Sequence, residues 1–132
     1  MEDTIIKKVE LENNQTLIIS DASRKISEDA YVVKMKAKID IDVEKDLFSA
    51  EELKEILFED IKEKLGEKVC YEYVAERNFI ISKDKDALLE KLVSDFFTTP
   101  GKYVAKAEFP KKFLLKQYKD ITNKKTNTIK AY

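Results

Sequence analysis

The sequence predicts an α+β domain: an antiparallel sheet of about four strands, two helices packed on one face, and a C-terminal helix or strand closing the edge. Three observations carry that prediction. Over residues 31–43 every odd position is apolar, while Lys34, Lys36, Lys38, Asp40 and Asp42 fill even positions. This is the two-residue period of a strand with one face on a core and one in water. Over residues 49–65 the period changes, with Leu53, Ile56, Leu57, Ile61 and Leu65 recurring at three- and four-residue steps, as on one face of a helix. Finally, 132 residues hold only two glycines and two prolines, too few for a loop-rich all-β architecture.

Taken in order, residues 5–11 and 16–20 read as strands around Asn13-Asn14-Gln15, a hairpin turn in which asparagine tolerates positive φ. The long strand over 31–43 follows. Ser49-Ala50-Glu51-Glu52 matches a capping box, and Gly66 supplies the stop for the helix it opens. Residues 69–75 form a further strand, with Val69, Tyr71, Tyr73 and Ala75 on one face. Phe79-Ile80-Ile81 either extends it beyond a bulge at Glu76-Arg77-Asn78 or opens a short fifth strand. Ser82 or Asp84 caps a second helix carrying Leu88, Leu89, Leu92, Val93, Phe96 and Phe97, which Thr98-Thr99-Pro100-Gly101 breaks. Pro110 is placed to start a last helix with Phe113, Leu114, Tyr118 and Ile121, the alternative being a strand over 112–118. Residues 1–122 thus form a single domain and 123–132 a polar, frayed tail. The expected core comprises Ile18, Val33, Met35, Ile39, Ile41, Leu53, Ile56, Leu57, Ile61, Tyr71, Tyr73, Leu88, Leu92 and Phe96.

Composition removes several chemistries. Histidine is absent, which excludes Ser-His-Asp and Cys-His arrangements and imidazole acid–base work. Cys70 stands alone, a small half-buried strand residue, so no intrachain disulfide or cysteine-rich metal site can form. The isolated Gly66 and Gly101 cannot build a phosphate-cradling loop. Asp40-Ile41-Asp42-Val43-Glu44 alternates acids but lacks the turn glycine of a calcium loop. No cofactor or metal is expected, and no enzymatic activity. Without a run of about eighteen apolar residues or a signal-peptide core, the chain reads as cytoplasmic and without a membrane partner.

Two features point to binding. Only two of the twenty-five cationic side chains are arginine, and both stand in polar clusters beside apolar runs. An arginine amid lysines marks a position that uses a planar, always-charged fork of donors. Arg24, Arg77, Asn78 and Ser23 are therefore candidates for a shared anion- or partner-binding site. The alternative is that each arginine ties down its own loop by bidentate pairing with Asp21, Glu72 or Glu76. The second feature is a charge split. Residues 1–99 hold 16 cations and 24 anions, a balance of −8, and residues 100–132 hold 9 and 2, a balance of +7. Lys111, Lys112, Lys116, Tyr118 and Lys119 could form a basic–aromatic surface for phosphates and stacked bases. The same pattern arises if a basic terminal helix packs its aromatic side on an acidic body. In order of preference, the sequence supports a non-catalytic cytoplasmic module whose partner is a protein, itself or another, within a homo-oligomer or larger assembly. A nucleic-acid or anionic-ligand binder comes second, and a small carboxylate-dependent enzyme third.

Overall fold

In the structure, a computed structural model describing residues 3–130 with side chains through residue 122, one strand organises the sheet. That strand is β4 (Ala30–Asp42). Strand β5 (Lys68–Ile81) runs antiparallel along its whole length, from Ala30↔Ile81 to Asp42↔Lys68. The opposite side of β4 is shared by β2 (Thr16–Asp21) and β3 (Arg24–Ser27), and β1 (Thr4–Glu10) pairs with β2 at the edge. The sheet is antiparallel throughout, with β3 as a fifth strand beyond those expected.

Strands β2 and β3 lie end to end, and a local turn joins them. The Asp21 carboxylate accepts the Ser23 N–H at 2.9 Å, while the Ser23 hydroxyl accepts the Lys34 N–H at 2.9 Å. Short polar side chains thereby satisfy the backbone where the ladder would lapse. At the β1–β2 turn Asn14 takes φ 68°, as expected of asparagine. Its neighbour Asn13 does more: its amide nitrogen donates to the carbonyls of Val104 and Lys106 at 2.8 and 2.9 Å.

The alternation of β4 decides which face is buried. Val33, Met35, Ala37, Ile39 and Ile41 are fully buried, together with Leu17 and Ile19 of β2. Because Leu17 pairs with Ile39, the core takes the odd residues of β2, and the expected core residue Ile18 lies on the other face opposite Lys38. All helices cover the inner face: α3 (Lys85–Thr98), the short α4 (Pro100–Val104) and α5 (Phe109–Lys130) contribute the buried Leu92, Phe96, Val104, Phe109 and Leu114. The last segment is thus helical, with Pro110 its second residue. A single helical turn over Ser82–Asp84 leads into α3, and neither expected cap residue makes a side-chain cap bond. The expected tail over 123–132 falls where side chains lie outside the described residues. Among the described residues no helix is long and apolar enough to cross a membrane.

The helix expected over 49–65 is two. Ser49 and Glu52 form the reciprocal capping box, at 2.8 and 3.2 Å, but the helix it opens, α1 (Glu52–Glu55), is a single turn. Ile56 and Leu57 are extended, and α2 (Phe58–Leu65) restarts the helix. In one continuous helix, Leu53, Ile56, Leu57, Phe58, Ile61 and Leu65 would spread over an arc of about 200°, twice the usual apolar stripe. The break gathers Phe58, Ile61 and Leu65 on one narrow face and leaves Leu57, an expected core residue, 68% exposed.

Helix α5 resolves the charge split. Lys111 pairs with Glu52 at 3.4 Å. The Tyr118 hydroxyl donates to the Asp60 carboxylate, Lys64 pairs with that carboxylate at 2.7 Å, and the Lys64 ammonium lies 5.6 Å from the centre of the Tyr118 ring. The basic helix therefore packs on acidic α2. The hydrogen bond to Asp60 raises the Tyr118 phenol above its ordinary 10.0, and the same carboxylate raises Lys64 above 10.5. Both folded-state values lie above the unfolded ones, so this stabilisation is complete below pH 10 and is lost as the pH climbs through the folded values. Tyr118→Phe is expected to cost about 1–2 kcal/mol at pH 8 in urea titrations. The gap between mutant and wild type should narrow at pH 11. A gap that stayed constant would show that the phenol proton does not hold the clamp.

Candidate interaction surface

The outer face of the sheet carries the even residues of β4, and along most of its length its charges are matched. Lys34 meets Glu76 at 3.9 Å, Lys36 meets Asp3 at 3.1 Å, and Lys68 meets Asp42 at 4.0 Å. Cys70 sits on this face opposite Asp40 and is exposed, not half-buried as expected. Partial burial of its sulfur, followed by the Asp40 carboxylate, pushes the thiol above its ordinary value, which keeps it a poor nucleophile. Among the described residues, no three cysteine, aspartate or glutamate side chains are grouped to hold a metal ion.

Toward β3 the character of this face changes. The β4–β5 register steps from Tyr31↔Ile80 to Val33↔Arg77, so Asn78 and Phe79 together oppose Val32. This is a bulge, and it sits at the point where the sequence breaks its own alternation with Phe79-Ile80-Ile81. Phe79 takes φ 56° and its side chain is 78% exposed. A bulky aromatic in the left-handed region costs about 1–3 kcal/mol and persists only where the surroundings hold it. Beside it, Val32 is only 4% exposed although it lies on the outer face. Arg24, Ile26, Ser27, Val32, Asn78 and Phe79 line a shallow groove of about 350 Å³, and Ile81, also exposed, stands opposite Ala30 at its end.

The four residues singled out from the sequence separate here. Arg24 and Asn78 meet in the groove. The Ser23 hydroxyl is occupied by the Lys34 N–H. Arg77 does not join them, for a reason fixed by pleating. Arg24 pairs with Val32 and Arg77 with Val33, and consecutive residues of one strand face opposite sides. The two arginines therefore lie on opposite faces of the sheet. Nor does either lock its loop by pairing with Asp21, Glu72 or Glu76: among the described residues neither guanidinium is within ion-pair distance of a carboxylate. Arg77 donates instead to the Glu76 carbonyl at 2.8 Å. Ile26, Phe79 and Ile81 were not anticipated as surface residues. The failed alternation at 79–81 was their signal, and an apolar triplet reads equally well as a buried strand.

The basic–aromatic set on α5 is divided as well. Lys111 and Tyr118 are engaged with Glu52 and Asp60, and Lys112 pairs with Glu108 at 3.1 Å. Lys116 and Lys119 remain exposed, beside Leu115, which is partly buried against the core. The neighbouring rings turn inward: Phe109 is buried and meets Tyr71 edge-on at 5.4 Å, and Phe113 stacks beside it at 5.6 Å.

Compared with protein-family models, curated proteins and solved structures, the chain matches none of them.

Proposed function

We propose that this protein is a non-catalytic, cytoplasmic protein-interaction module that docks its partner on the β3–β5 end of the outer sheet face. The observation that carries the reading is Phe79, a large aromatic held in a strained backbone conformation with its ring in solvent. Strain of this kind clusters at binding sites because folding alone does not favour it. The surroundings fit the same use. Ile26 and Ile81 add apolar area, the groove beside Val32 accepts a side chain, and Arg24 offers an unshared guanidinium to a partner carboxylate at the rim. The α5 surface supports nucleic acid less well, since Phe109 and Phe113, whose rings could stack with bases, pack on the body.

The test separates binding from folding. Phe79→Gly removes the left-handed penalty of about 1–2 kcal/mol and adds part of that back as glycine's unfolded-state entropy, so it should raise stability by roughly 0.5–1 kcal/mol. A photo-crosslinking phenylalanine at position 79 should give a discrete protein adduct in cells, lost when Arg24→Glu is added. The same probe at Glu72, within the charge-matched stretch, should give none. Equal labelling from both positions, or no adduct from position 79, would sink the proposal.

A further inference from the structure

We infer that the edge strand β1 accepts an extended, acidic segment of another protein as an added strand, seated in the groove between β1 and α3. This surface faces the helices and is separate from the Phe79 end, so it stands or falls independently of the function proposed above.

Strand β1 hydrogen-bonds to β2 on one side, and no strand among the described residues pairs with its other side. Its outer N–H and C=O groups are therefore a template for an extended chain. Beside that edge Ile6 is 44% exposed and lines the groove, while Ile5, opposite Ser20, lies on the outer face. The register shift between Ile5 and Lys7 is a bulge, and it lets two consecutive residues, Ile6 and Lys7, line the same groove. Across from them α3 presents Leu89, Val93 and Phe97, enclosing about 560 Å³. The Lys7 ammonium rests 5.3 Å from the centre of the Phe97 ring, and neither Lys7 nor Lys8 lies in an ion pair among the described residues.

Lys7 decides between occupants, because Lys8 pairs with Ile18 and lies on the outer face beside Asp40 and Asp42. A second copy pairing antiparallel about the middle of β1 would set Lys7 against its own counterpart, and like charges directly opposite one another are destabilising. The same Lys7 ammonium attracts a carboxylate. Glu90 stands on the α3 wall and disfavours an acid there. The fitting segment therefore carries its carboxylate on the β1 side and an apolar residue two positions away, on the same side of the strand, in the Leu89–Val93–Phe97 groove.

A capped Thr-Val-Thr-Glu-Thr-Val-Thr peptide, titrated into the ¹⁵N-labelled full chain, should shift amide resonances of β1 and of residues 89–97. It should bind at least tenfold more tightly than the same peptide with lysine in place of glutamate. Lys7→Glu should reverse that preference, and its own spectrum reports whether the fold is intact. Equal affinity for the two peptides, shifts confined to other regions, no shift at millimolar peptide, or a dimer formed through β1 in sedimentation would each overturn the inference.

Discussion

Phe96→Ala is expected to lower the unfolding free energy by about 3–5 kcal/mol, read from urea titrations at neutral pH. Phe96 is fully buried under the sheet, its ring 5.2 Å from that of Tyr73 on β5 and 5.6 Å from that of Phe97. Its surroundings cannot close around the cavity. On one side lies the central strand, fixed by ladders on both its edges. On the other lies Gly101, where an added Cβ would sit 3.1 Å from the Phe96 carbonyl oxygen and 3.4 Å from its ring. A site unable to collapse pays the transfer loss and the cavity in full. A measured loss below about 1.5 kcal/mol would mean that α3 and α4 resettle, contrary to the packing described.

Phe109→Ala should cost a similar 3–5 kcal/mol and also change the shape of the transition. Phe109 is the hub of an aromatic cluster, with Tyr71, Tyr103 and Phe113 at 5.4, 5.3 and 5.6 Å. Such pairs add to simple burial. Because Phe109 is also the first residue of α5, its removal loosens the helix that closes the core through Leu114 and grips α2 through Tyr118. Fluorescence and circular dichroism should then report different midpoints, with helix lost first. Coincident midpoints in the mutant would show that α5 folds and unfolds only with the sheet.

What was legible in the sequence followed from periodicity. The two-residue alternation over 31–43 is obeyed because one face of β4 is wholly buried, so a slip would bury lysines. The Ser49–Glu52 box and the positive φ at the β1–β2 turn were local chemistry and needed no tertiary knowledge. Ile18 and Leu57 went astray because each sits in an apolar run, where only neighbouring elements decide which residue turns inward. Gly101 was legible as a breaker but not as the place where α4 approaches α3. Of the residues expected to share a site, Arg24 and Asn78 line one groove, whereas Arg77 lies on the opposite face of the sheet. Chain proximity to a bulge does not reveal which face of the sheet a residue occupies. Phe79 was hidden because its conformation, not its identity, makes it unusual.

The amide of Asn13 has a bearing on how the chain is made. It closes the N-terminal hairpin onto carbonyls 91 and 93 residues further along. On a ribosome adding ~5–20 residues per second, the hairpin turn is exposed for roughly 5–20 s before its anchor exists. For most of that interval α3 is not yet made, and β1 is a nascent edge whose turn lacks its anchor. Lys7 and Lys8 put a charge on each face of that edge, which disfavours edge-to-edge pairing of unfinished chains.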